Sequence, residues 1–338
     1  MKIEELLLIE NKKQEESILR KIVRKEPTNV IACIKLGNIL REKRHYTEAL
    51  KLHQVSLTGT RDISLRKKLY VNIIKDYIDA GNPESALNFA NELQRIVLSD
   101  VNELNFLLSI YEDLSKWQKA IHLKQRILKL SKSSDDRELA ILYAFWGNSL
   151  VEEGSKREAL KRFKEALKLD KFCLPGLLFI GDFYYEDGNI DEGIKFWKRI
   201  LDNIPKYAFL AFEKLADAYY AKSDFSKLET LYASFLNQNP EDARVLIMLS
   251  EIYEKKGEDK EAIVSLERAR EIDPRSVVAR RKLFKLYYDN KRYEDMFKEG
   301  EKIASLDISK DFKCYKCNSQ LEEFKFKCPH CNNWLSIR

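Results

Sequence analysis

The sequence predicts an all-α chain, a helical-repeat solenoid closed by a small four-cysteine module. Three observations predict it: few turn residues, a 34-residue repeat, and two Cys-x-x-Cys pairs near the C-terminus. Only 11 Gly and 7 Pro occur among 338 residues, too few for the many tight turns of an all-β fold. A hydrophobic content of 44% with 34% charged residues excludes a disordered chain, which lacks core-forming residues.

The repeat is read by superposing segments. Trp146-Gly147, Leu150, Gly154, Ala159, Phe163 and Ala166 align with Ile180-Gly181, Tyr184, Gly188, Gly193, Trp197 and Ile200 at an offset of 34. Leu249, Tyr253, Gly257, Ala262, Leu266, Ala269 and Pro274 repeat the spacing. Large residues three and four apart mark one helix face. The following glycine suits a helix end, and the small residue near position 20 lets two helices approach closely. The pattern resembles the tetratricopeptide repeat. It predicts eight units starting near Val30, Lys67, Val101, Ala140, Leu174, Phe209, Ala243 and Val277. Residues 30–307 are therefore expected to form the array, and residues 1–29 a capping helix pair.

The four C-terminal cysteines read Cys314-Tyr-Lys-Cys317 and Cys328-Pro-His-Cys331, ten residues apart. Two such knuckles in a reduced compartment predict a metal site on Cys314, Cys317, Cys328 and Cys331. The competing reading is a pair of redox disulfides, which normally sit in a βαβ context. Four thiolates leave no open coordination position, so the site is expected to be structural, holding one zinc or iron ion. Residues 312–338 are too few for a hydrophobic core, which leaves the metal to fold them. The alternation Phe324-Lys-Phe326-Lys predicts a short strand. A linker of roughly nine residues reaches at most ~30 Å, so the module is expected to pack on the final repeats through Phe326 and Trp334. Cys33 and Cys173 are expected to be buried apolar residues.

Repeats followed by a rubredoxin-like Cys₄ tail resemble the lipopolysaccharide assembly protein B (LapB) family. The tail carries the resemblance: Cys314-x-x-Cys317, then Cys328-Pro329-x-Cys331-x-x-Trp334-x-x-Ile337. It implies a non-enzymatic adaptor that presents an LpxC-like deacetylase to an FtsH-like membrane protease, thereby setting lipopolysaccharide synthesis. The family also implies a membrane-spanning first helix. Here the longest apolar run is Leu139–Trp146, against ~20 residues for a span. A cytoplasmic protein recruited to the inner membrane through its partners is therefore expected. Asn318 replaces the usual glycine after the first knuckle and tolerates the same left-handed backbone.

No enzyme motif is present. Gly176-Leu-Leu-Phe-Ile-Gly181 lacks the Lys-Ser/Thr of a phosphate loop. The four histidines fall in separate segments. Net charge is +6. Residues 312–338 supply +3 of it, from five basic and two acidic residues, so the array is nearly balanced and unlike a phosphate-binding surface. In the tetratricopeptide repeat, first-helix positions 2, 5, 9, 12 and 13 line the groove. Those positions hold Glu112, Asp113, Glu152, Asp182, Glu186, Glu213, Asp217, Glu251 and Glu254, opposed by Arg244 and Lys255, with Tyr185 and Tyr220 among them. The expectation is a groove that takes a basic peptide and repels nucleic acid. Two alternatives use the tail: RNA stacking on Phe312, Tyr315, Phe324, Phe326 and Trp334, or electron transfer by an iron-loaded site.

Overall fold

The computed structural model describes residues 12–96, 100–305, 312–321 and 323–337. The chain forms two compact units, 1–135 and 136–338. In the first, α1 (Lys12–Lys25) precedes the pairs α2 (Val30–Glu42) with α3 (Tyr46–Gly59), α4 (Ile63–Asp79) with α5 (Pro83–Ile96), and α6 (Val101–Asp113) with α7 (Trp117–Ser131). The second holds α8 (Arg137–Glu152) with α9 (Lys156–Leu169), α10 (Leu174–Glu186) with α11 (Ile190–Asn203), and α12 (Phe209–Ala221) with α13 (Phe225–Gln238). It continues with α14 (Ala243–Lys256) and α15 (Asp259–Ile272), then α16 (Val277–Asp289) and α17 (Tyr293–Ser305). This is the all-α repeat architecture, with each helix antiparallel to its pair mate. Of the segment read as an N-terminal helix pair, the described residues hold only α1; residues 1–11 lie outside them.

Two local rules recur in the pairs. The first, seen in α2–α3, α8–α9 and α10–α11, is a small residue on the first helix facing a large one on the second. A Cβ on Gly147 would lie 2.5 Å from the Phe163 ring, on Gly181 2.3 Å from the Trp197 indole, and on Gly37 2.3 Å from the His53 imidazole. The second is a left-handed residue in each of the eight turns. Gly81, Gly154, Gly188 and Gly257 supply it in four; Arg44, Ser115, Ser223 and Lys291 supply it in the others. Sequence reading finds the four glycine turns and passes over the rest, where packing of the flanking helices imposes a backbone that costs a non-glycine residue about 1 kcal/mol. Several first helices are also capped: Asp62, Asp100, Asp242 and Ser276 each accept from amides of the opening turn.

Two buried carboxylates each draw cationic or imidazole partners from other helices. In the first unit Asp76, with no exposed surface, accepts from Arg41 at 2.9 Å and lies 2.5 Å from His53 Nδ1. This joins α2, α3 and α4 through polar groups that must all stay paired. In the second, buried Glu299 on α17 receives Arg270 at 2.5 Å and Arg280 at 2.6 Å.

The C-terminal module carries β1 (Phe312–Lys313) antiparallel to β2 (Gln320–Leu321), and isolated bridges Cys314↔Ile337 and Lys327↔Trp334. The strand expected over residues 324–327 is not formed. Phe324 and Phe326 turn instead toward the repeat helices, and hydrophobic docking replaces strand pairing there.

Candidate metal centre

The two knuckles are built alike. Asn318 and Asn332 follow Cys317 and Cys331 with φ of 59° and 56°, and their amides donate to the Cys314 and Cys328 carbonyls at 2.9 Å. The Cys314 amide donates to Ser319 O and the Cys328 amide to Asn333 O, both at 2.9 Å. Asparagine is thus the left-handed residue at both turns, as its local side-chain chemistry allows.

The four sulfurs lie within 4.8 Å of one another. Cys314 Sγ is 3.6 Å from Cys331 Sγ, and Cys317 Sγ is 3.7 Å from Cys328 Sγ. A tetrahedron with metal–sulfur bonds of about 2.3 Å has edges of about 3.8 Å, so the donor set fits a four-coordinate ion. Covalent pairing would need sulfurs about 2.05 Å apart, and all four cysteines are free. The surroundings favour thiolate at Cys314 and Cys328. Desolvation works against the charge on Cys314, but the Ser336 hydroxyl and the Cys317 and Lys316 amides outweigh it and bring the thiol down to about 6. Cys328 is also lowered: desolvation opposes the charge, and the Cys331 amide and Ser319 hydroxyl overcome it. Ser336 Oγ lies 3.3 Å from Cys314, and Ser319 Oγ 3.1 Å from Cys317. Neither serine is signalled by the Cys-x-x-Cys pattern. By contrast, burial pushes the Cys173 thiol, at the start of α10, up to about 12, in keeping with an inert packing residue.

The module is seated on the first helices of three successive repeats. Phe326 meets Phe145 of α8 and Phe179 of α10 with centroids 5.6 and 5.8 Å apart, and Trp334 lies 5.1 Å from Phe145. Phe324 packs on Tyr207 at 6.0 Å and Phe209 at 5.7 Å. Tyr207 donates its hydroxyl to the Leu335 carbonyl at 2.7 Å. The seat is therefore α8, α10 and α12, not the final repeats. The reason is register. Phe145 and Phe179 stand at one position of successive first helices, and the next residues at that position are Lys214, Met248 and Lys282. The apolar stripe ends where the lysines begin. Of the rings proposed for RNA stacking, Phe312, Phe324, Phe326 and Trp334 lie half-buried and are engaged, while Tyr315 is exposed.

The same lysines revise the groove charges. Lys214 pairs with Asp182 at 2.8 Å, and Lys282 with Glu251 at 3.0 Å and Glu254 at 3.6 Å. Asp182 also accepts from the Trp197 indole at 3.2 Å, and its pKa is raised by burial against the pull of Lys214. Lys255 sits 3.3 Å over the Tyr220 ring, and Tyr185 packs on Trp197. Glu186, Glu213 and Asp217 are exposed, as is Glu152, which accepts from Asn148 at 3.0 Å. Glu112 and Asp113 belong to the other unit, and Glu112 is buried. Among the described residues no helix is long and apolar enough to cross a membrane.

Comparison with known proteins agrees with this architecture. The tetratricopeptide repeat family matches residues 32–67, 146–208 and 213–277. Lipopolysaccharide assembly protein B of Escherichia coli K12 is 24% identical over 329 residues, 93% of this chain and 82% of that protein. The Haemophilus influenzae protein of the same name is 24% identical over 91% of this chain and 78% of its own. A tetratricopeptide-repeat structure from Cytophaga hutchinsonii covers 70% of this chain and 95% of its own at 16% identity, with a TM-score of 0.44. With its four-cysteine module, the chain is a LapB-like tetratricopeptide-repeat protein.

Proposed function

We propose that the protein is a non-enzymatic adaptor of lipopolysaccharide assembly, in which a metal-folded ribbon fixes the first-helix face of the array for protein capture. The observation that supports this most is the seat. The ribbon packs on Phe145, Phe179, Tyr207 and Phe209, and the likeness to LapB runs over 93% of the chain. One zinc or iron ion on Cys314, Cys317, Cys328 and Cys331 folds the ribbon. Beside it, exposed Glu186, Glu213 and Asp217, with Tyr185 and Tyr220, receive a Lys/Arg-bearing segment of the client. The paired Asp182, Glu251 and Glu254 hold the helices rather than the ligand.

The finer reading is that an LpxC-like deacetylase is the client and an FtsH-like protease the acceptor, with the protein working in the cytoplasm against the inner membrane. A tagged pull-down at native expression level tests it. Recovery of both proteins is expected, and recovery of neither would contradict it. Reversal of Glu186, Glu213 and Asp217 to Lys should weaken capture at least ~10-fold, chiefly through association rate. Unchanged capture would remove the groove from the reading.

A further inference from the structure

The second helices of the repeats share one set of outward positions, and α9 fills it with cations. Arg157, Lys161, Lys164 and Lys168 follow one another at spacings of four, three and four. At 3.6 residues per turn they fall within an arc of about 60° and form a row about 16 Å long. Ala159, Phe163 and Ala166, on the opposite side of α9, are fully buried. Phe163 packs there on Gly147 of α8 and Phe183 of α10. The row therefore faces away from the helices that seat the ribbon.

All four cations are exposed, and among the described residues none of them has a carboxylate partner. The acidic side chains beside them are already taken. Glu158 and Glu165 bind Arg162 at 3.4 and 2.7 Å, and Asp187 binds Lys156 at 2.7 Å. Repeat packing does not call for such a row. At the same positions α11 has two Asp with two Lys, α13 has no charge, and α15 has one Lys with two Glu. A solvated face ordinarily mixes both signs. At its C-terminal end the row runs into exposed apolar groups. Leu169 and Phe172 are each 37% exposed, and Lys171 Nζ lies 4.7 Å over the Phe172 ring.

We propose that this face of α9 rests on an anionic bilayer surface, its cations against lipid phosphates and Leu169 and Phe172 at the acyl boundary. A row of unpaired cations complements a plane of negative headgroups, and apolar side chains beside such a row are what an interfacial helix buries. A single nucleic acid strand calls for a charged groove with several stacking rings. The row instead lies on an outward helix face and has one ring, itself under Lys171. Contact here leaves Glu186, Glu213 and Asp217 on the first helices open to a client, so vesicle binding and client capture stand or fall separately.

Co-sedimentation of the full metal-loaded chain with vesicles tests the proposal. The wild-type chain should bind vesicles of phosphatidylglycerol mixed with phosphatidylcholine, bind them less as salt rises, and ignore phosphatidylcholine alone. Each cation near an anionic leaflet is worth about fivefold in partition. Lys161→Gln, Lys164→Gln and Lys168→Gln together should therefore lower binding ~100-fold. Helical circular dichroism and metal content should match wild type, because all three side chains stand in solvent. Absence of wild-type binding to the mixed vesicles, equal binding to phosphatidylcholine alone, or unchanged binding by the triple variant would overturn it. Capture of single-stranded RNA without vesicle binding would overturn it as well.

Discussion

The seat on α8, α10 and α12 and the end face on α16 and α17 are both aromatic, yet among the described residues only the first is covered within the chain. Phe145 and Phe179 occupy one register of neighbouring first helices, 5.2 Å apart, and so make a stripe that a ribbon can lie along. At the end of the stack Phe284 lies over Gly300, and Phe297 is exposed. The comparison teaches that position in the repeat decides the partner. Rings aligned between repeats receive the chain's own tail, and rings left by the lack of a next repeat face outward.

The comparison breaks most severely at the metal. Cys328→Ser should abolish metal retention, a larger loss than the ~10–100-fold typical of an outer hydrogen-bonding partner. It should bare the seat while the end face stays as it was. Elemental analysis with limited proteolysis checks this, and a metal-free ribbon that stays protected would count against it.

Trp334→Ala separates docking from metal binding. The ring is half-buried against Phe145, so the expected cost is about 2–3 kcal/mol, below that of a fully buried Trp→Ala change. Denaturant unfolding followed by ribbon probes should show the loss, with metal content unchanged. In the array, Gly181→Ala should cost about 1–3 kcal/mol, because the new methyl meets the Trp197 indole. Gly300→Ala meets only the ring of Phe284 at 3.3 Å and should cost less than Gly181→Ala. The difference in thermal midpoint sharpens the contrast between an internal and a terminal repeat.

Much of the fold was legible because packing leaves a residue-by-residue trace. Gly147 with Phe163 and Gly181 with Trp197 mark a close helix approach, and Gly154 and Gly188 mark a left-handed turn. The four ligands were legible because two thiolates on one turn need the Cys-x-x-Cys spacing. What failed was relational. Phe324-Lys-Phe326-Lys alternates like a strand, but its rings dock on α10 and α12. The groove read as one-signed because Lys214 and Lys282 lie outside the positions counted, and only the neighbouring helix brings them to Asp182, Glu251 and Glu254. Nothing in the ribbon's own residues names its seat. The signal lay in the repeat, as Phe at one register of α8 and α10 giving way to Lys on α12.

The smallest expected effect lies in the non-glycine turns. Ser223→Gly or Lys291→Gly should stabilise by about 0.5–1 kcal/mol, since each residue holds a positive φ. No gain in thermal midpoint would show that these turns are held without strain.

The most direct test of the central claim, that a metal-folded ribbon covers the first-helix face, is amide hydrogen exchange with and without the metal. On chelation the account predicts faster exchange in residues 312–337 and in the facing stretches of α8, α10 and α12, with α14 to α17 unchanged. Identical exchange of α8, α10 and α12 in the two states would contradict it.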